Sequence, residues 1–125
     1  MPINKPADAK YKLNTLIKNR WSPRAFENKS VDNEILNSLF EAARWAASCN
    51  NSQPWRFIVA KKENPKEYAK ALSCFNENNQ KWASTAPVIG FVGAYQLMLG
   101  DKKSRTYFYD TGMAMSQFTL QALEH

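Results

Sequence analysis

The chain has 125 residues, a length that suits one small domain and is too short for two. Hydrophobic residues make up 44% and charged residues 22% without a long single-sign block, which excludes a disordered profile. The net charge of +6 comes from scattered lysines such as Lys10, Lys29, Lys61 and Lys70, with no basic strip interleaved with aromatics, so it reads as a solvated surface and not as a nucleic-acid face.

No run of about 18 apolar residues exists, which excludes a membrane-spanning helix. Met1 to Tyr11 is polar and lacks the apolar core of a secretory leader. Cys49 and Cys74 are too few for a disulfide framework, so reduced thiols and a cytoplasmic location are expected. One histidine and two cysteines do not make a zinc site. Leu123-Glu124-His125 reads as an expression-tag remnant, which leaves residues 1–122 as a single domain and takes His125 out of the functional reading.

In chain order, Leu13, Leu16 and Ile17 fall at helical spacing and predict a helix from Asp8 to Asn19, which Pro23 stops. Ser30 and Asp32 are candidate N-caps of a second helix reaching about Ala47, with Ile35, Leu36, Leu39, Phe40 and Ala43 as its buried stripe. A polar loop, Ser48 to Pro54, leads into a strand over Trp55 to Ala60. Asn64 and Pro65 open a third helix carrying Tyr68, Ala69 and Leu72. Asn76 to Gln80 reads as a turn, Pro87 to Ala94 as a second buried strand, and Gly100 to Ser104 as another turn. A last helix runs to Leu123, capped by Asp110 or Thr111. Its apolar residues lie nearly all round, so it needs cover on every side. Helices and strands alternate, and the class is mixed α and β.

Two segments have the residue types for ligand chemistry. In Arg20-Trp21-Ser22-Pro23-Arg24-Ala25-Phe26, two guanidinium groups flank a hydroxyl, a donor set that suits a phosphate. The same residues also suit a plain helix C-terminus, with arginines on its dipole and a proline stop. In Ala47-Ser48-Cys49-Asn50-Asn51-Ser52-Gln53-Pro54-Trp55, side-chain amides cluster between a helix and a strand. An amide offers both a donor and an acceptor and so suits a heteroaromatic ring, although Asn and Ser also favour turns for local backbone reasons. As loop residues, Asn51 and Gln53 are expected to affect stability by less than about 0.5 kcal/mol when replaced.

Taken together and in order, Arg-x-Ser-x-Arg, an amphipathic helix, Asn-Ser-Gln-Pro-Trp and a strand resemble the nitroreductase family of FMN-dependent oxidoreductases. The resemblance continues through Asn79-Gln80-Lys81-Trp82-Ala83, Ala86-Pro87-Val88 and Asp110-Thr111-Gly112-Met113-Ala114. It implies an α+β fold, a central sheet flanked by helices, with the family's C-terminal part missing. It also implies that Arg20, Trp21, Ser22 and Arg24 bind the FMN phosphate and ribityl chain, with Trp21 standing where many members carry a second basic residue. Asn51 and Gln53 would lie at the ring or substrate side. Ala47, Ser48 and Cys49 match a segment that reaches the flavin of the other subunit, with Cys49 in place of a usual hydroxyl, and Asn79 matches another flavin-contacting amide.

The activity implied is passage of hydride or electrons from NAD(P)H, through FMN, to a small acceptor such as a nitroaromatic or a quinone. The flavin carries that chemistry, so no acid–base pair is needed. Gly90 and Gly93 lie inside a strand and do not form a dinucleotide fingerprint. The resemblance further implies a homodimer with the 110–123 helix at its centre, and the composition agrees, since Met115, Phe118, Leu120 and Leu123 would otherwise stay partly exposed. The alternative reading is a shortened, non-catalytic remnant that dimerises and binds flavin poorly or not at all.

Overall fold

The structure is a computed structural model and describes residues 5–96 and 102–125. Five helices and two strands are present among them: α1 Thr15–Asn19, α2 Asn33–Arg44, β1 Trp55–Lys61, α3 Pro65–Ser73, α4 Glu77–Ala83, β2 Val88–Ala94 and α5 Tyr107–Gln121. Single turns of 3-10 helix occur at Cys49–Asn51 and Ala122–Glu124.

The strands form one antiparallel pair, registered from Trp55 opposite Ala94 to Lys61 opposite Val88. The ladder is closed at one end by the Lys62 amide donating to the Pro87 carbonyl (2.9 Å) and at the other by the Tyr95 amide donating to Pro54 (2.7 Å). Strand alternation sends Trp55 and Phe57 to one face and Ala60, Ile89 and Phe91 to the other. Each face has its own core. On the first, Trp55 packs with Ala43 and Ala46 from the end of α2 and Ala114 from α5. Phe40, Phe57 and Phe118 add a three-ring cluster with centroids 5.2–5.8 Å apart. Ala43 and Ala114 are completely shielded (0%), so two small side chains set how closely α2 and α5 approach. On the second face, Ala60 and Ile89 pack against Tyr68 and Ala71 of α3, and Phe75 stacks on Phe91.

Tyr68 fastens the second layer. Its buried hydroxyl lies 2.6 Å from the Ala86 carbonyl, with the Ala83 and Ser84 carbonyls at 3.2 and 3.4 Å. One phenol thus serves carbonyls at the end of α4 and the approach to β2, and burial pushes its pKa up.

Several expected boundaries move. The first helix does not begin at Asp8. Asn14 acts as its N-cap, accepting from the Leu16 amide (2.9 Å), and the preceding residues offer no buried face to support a longer helix. The second helix ends at Arg44 rather than Ala47, with Asp32 at its N-cap position. Asn76 to Gln80 is not merely a turn but opens α4, because the Asn76 side chain accepts from the Asn79 amide (2.9 Å). The apolar residues of that helix, Trp82 and Ala83, come only at its end, so it shows no periodicity. The last helix starts at Tyr107, after Thr106, and neither Asp110 nor Thr111 caps it. Of the apolar residues expected to stay partly exposed, Phe118 packs against the core, Met115 and Leu120 are half-buried, and Leu123, just past the helix, is exposed. The large exposed side chains of α5 are instead Phe108 and Tyr109, at 70% and 72%. Gly100, within the expected Gly100–Ser104 turn, lies outside the described residues, as do Met1–Asn4 of the polar N-terminus.

Candidate functional site

The loop between α2 and β1 has unusual backbone geometry. Asn50, Asn51 and Gln53 all adopt left-handed conformations, with φ of 52°, 54° and 43°. Asparagine tolerates this region better than most residues because its short side chain can bond locally; glutamine has no such advantage. These angles argue against the expectation that Asn51 and Gln53 are nearly neutral to stability: a residue held in this region costs on the order of 1–3 kcal/mol and persists only where its surroundings over-determine it.

Those surroundings are visible. The Ser48 hydroxyl accepts the Gln53 amide (3.1 Å), closing the loop on itself. The Ser48 and Cys49 carbonyls accept from the Asn51 and Ser52 amides (3.1 and 3.0 Å). The Asn51 side-chain oxygen accepts from the Gln53 side-chain nitrogen at 2.9 Å. This pairing uses half of each amide. Among the described residues, Asn51 Nδ2 and Gln53 Oε1 have no partner and remain as an adjacent donor and acceptor. Ser52 Oγ is shut away from solvent and likewise has no partner among the described residues. Ala47 and Cys49 are exposed and Ser48 is half-buried.

Two contacts hold the loop from outside. The Cys49 amide donates to Asp110 Oδ2 of α5 at 3.1 Å, and the Thr106 hydroxyl donates to the same oxygen at 3.0 Å. At the other end, the Arg56 guanidinium donates to the Gln53 carbonyl (3.0 Å) and the Trp55 carbonyl (2.8 Å), while lying over the Tyr95 ring at 5.6 Å. The sequence suggested Asp110 as a helix cap and as part of the family-like Asp110–Ala114 string, with no site role, and gave Arg56 no role. The available signal was a single acid in an otherwise uncharged run, Tyr107 to Gln121.

The arginine segment forms a second group. The Arg20 guanidinium donates to Ser22 Oγ at 3.5 Å, and Arg24 is exposed. Among the described residues neither arginine is paired with a carboxylate. Trp21 is half-buried beneath the Lys5 ammonium, 5.2 Å from the ring centre. Phe26 packs on Trp82 (centroids 6.3 Å), and Trp82 donates to Asn79 Oδ1 (3.1 Å), so the arginine segment is tied to the helix that carries Asn79. No hydrogen bond or ring contact among the described residues links this group directly to Ala47–Gln53. A shallow hollow between Ala7 and Lys18 contains none of the site residues expected from the sequence.

A thin sheet with helices on both faces, a left-handed amide loop and a separate arginine–serine pair are the features of an α+β protein of the nitroreductase type. Residues 17–125 match the model of the Nitroreductase family, and the chain belongs to that family. A solved structure described as an oxidoreductase containing FMN superposes with a TM-score of 0.86 at 33% identity, over 99% of this chain and 64% of that one. An FMN-dependent nitroreductase from Clostridium difficile superposes with a TM-score of 0.66 at 26% identity, covering 87% of this chain and 54% of that one. The major NAD(P)H-flavin oxidoreductase of Aliivibrio fischeri is 40% identical over 52 residues, 41% of this chain and 24% of its own. A Streptococcus pyogenes protein assigned as an NAD(P)H nitroreductase is 40% identical over 62 residues, 50% of this chain and 30% of its own. The chain therefore spans less than two thirds of the length of each of these relatives.

Proposed function

We propose that this chain holds FMN and serves an oxidoreductase that passes hydride or electrons from NAD(P)H to a small acceptor such as a nitroaromatic or a quinone. The observation that carries the reading is the left-handed Ser48–Gln53 loop with its unused donor and acceptor on Asn51 and Gln53. An isoalloxazine edge presents alternating N–H, C=O and N groups, which that pair complements. Among the described residues the Ser52 hydroxyl has no partner and Arg20 and Arg24 have no carboxylate, which also fits such a ligand, the arginines suiting its phosphate. Bound there, the flavin would supply the hydride chemistry. The residues of the chain would bind and orient: Arg20, Trp21, Ser22 and Arg24 at the phosphate and ribityl chain, Asn79 as a further amide on the flavin, Asn51 and Gln53 at the ring, and Ala47, Ser48 and Cys49 toward the flavin of the other subunit.

The working unit in this reading is a cytoplasmic homodimer, with α5 in the contact. Two observations support it. Phe108, Tyr109 and Trp45 are each at least 70% exposed, and no large side chain among the described residues is fully buried. Cys49 and Cys74 are free and exposed thiols, suited to a reducing compartment. The deciding experiment adds FMN to the purified chain, follows quenching of flavin fluorescence, then measures NADH and NADPH oxidation with a nitroaromatic and a quinone. Saturable binding with acceptor-dependent oxidation is expected. A chain that takes up no FMN overturns the reading and leaves the non-catalytic one.

A further inference from the structure

The loop that faces the flavin in this reading owes its shape to residues outside it. Three left-handed residues within four positions would relax toward ordinary backbone if the loop were free at its ends. The internal Ser48–Gln53 bond closes the loop but does not fix it to the rest of the fold. Past its end the Tyr95 amide holds the Pro54 carbonyl; on the loop itself, side chains from outside attach at two points, Asp110 at the Cys49 amide and Arg56 at the Gln53 carbonyl.

Asp110 is built in firmly. It is the fourth residue of α5, it is buried, and no cation pairs with it among the described residues. Its Oδ2 takes both the Cys49 amide and the Thr106 hydroxyl. The Thr106 amide in turn donates to Ser104 Oγ (3.2 Å), and the Ser104 amide donates to the Gln96 carbonyl (2.8 Å). A chain of hydrogen bonds thus runs from the segment after β2, through the start of α5, to the first residue of the loop's 3-10 turn. A buried polar side chain has to be hydrogen-bonded, and Oδ2 of Asp110 takes its bonds from Thr106 and from the loop.

We infer that Asp110 and Arg56 are positioning residues that clamp the two ends of the 48–53 loop and so set the placement of Asn51 and Gln53 toward the ring. The inference rests on the proposed FMN site for its functional half only.

The test compares the full chain with Asp110→Ala, Asp110→Asn and Arg56→Ala. Asparagine can present an amide oxygen where Oδ2 lies and accept both bonds; alanine cannot. In the flavin-free protein, amide exchange at Cys49 should speed up by about tenfold or more in Asp110→Ala, as loss of a bond to a charged group predicts, and stay slow in Asp110→Asn. FMN titration should show affinity falling by about tenfold or more in Asp110→Ala and in Arg56→Ala, with Asp110→Asn restoring most of it. Unchanged Cys49 exchange in Asp110→Ala overturns the clamp. So does an Asp110→Asn variant that keeps Cys49 protected yet binds FMN no better than Asp110→Ala. Arg56 is exposed, so its variant tests the clamp even if Asp110→Ala does not fold, and unchanged FMN affinity there overturns it. A wild-type chain that binds no FMN sinks the proposed function, while the exchange result still decides the clamp.

Discussion

Asn51 offers the sharpest separation between a ligand-binding residue and a turn-forming one. Its φ of 54° and its bond to Gln53 Nε2 are two different contributions, and two substitutions divide them. Both Asn51→Ala and Asn51→Gly lose the side-chain bond, which is exposed and is worth about 0.5–1.5 kcal/mol at most. Alanine also pays for the left-handed backbone, roughly 1–2 kcal/mol, whereas glycine adopts it freely but brings roughly 0.5–1 kcal/mol of extra unfolded-state entropy. Glycine should therefore be the more stable variant by roughly 0.5–1 kcal/mol, read as a shift in urea midpoint at unchanged slope. FMN affinity separates the functional readings. If the Asn51 amide orients the ring, both variants weaken binding by a similar factor, about tenfold for one lost polar contact. If Asn51 only shapes the turn, Asn51→Gly binds FMN like the wild type. Equal stability of the two variants would refute the left-handed backbone; wild-type affinity in Asn51→Gly would refute the ring-orienting role.

Four further outcomes are expected. Arg24→Ala should weaken FMN binding by about ten- to a hundredfold, the loss of one charge-assisted contact, and an unchanged titration would remove Arg24 from the phosphate. Tyr68→Phe keeps the ring but strands the Ala86 carbonyl and its neighbours, so chemical denaturation should report a loss of about 1–3 kcal/mol, and a loss under about 0.5 kcal/mol would show the hydroxyl to be idle. The Glu41 carboxyl, bonded by Arg44 and Trp45, is held at about 2 against an ordinary 4.5. Its contribution to stability is thus present above the ordinary value and lost as pH falls from there through about 2, and an NMR titration with a midpoint above about 4 would contradict the cluster. Light scattering should report a dimer or larger assembly; a stable 14.3 kDa monomer at low micromolar concentration would defeat the two-subunit site.

The sequence shows the sheet and much of the helical frame because their signals are local. The Trp55 strand, the Asn64–Pro65 helix start and the second strand all fall within a residue or so of their observed bounds, since alternation, an N-cap and an N1 proline act where they stand. Helix α4 was hidden because its support is a side-chain cap at one end and two apolar residues at the other. In the candidate site, the residue types of the Ser48–Gln53 loop were legible, but its three positive φ angles were not, because glutamine gives no hint of a left-handed conformation. Asp110 was visible as a residue and invisible as a contact. Its partner, Cys49, lies 61 positions away, and only the packing of α2 against α5 brings them together.

That packing has a consequence for how the protein can change over time. Ala114 stands one helical turn after Asp110 on α5, and at that position it is completely shielded, as is Ala43 on α2. The two alanines act as a spacer whose width sets where the Asp110 carboxylate meets the loop. A single added methyl group on either would push the helices apart, and the 3.1 Å bond to Cys49 has little slack to absorb it. Substitutions at this crossing and in the loop are therefore not independent. A larger residue on one helix is tolerated only with a smaller or repacked neighbour on the other, and variation in the core is filtered by the geometry of a site it never touches.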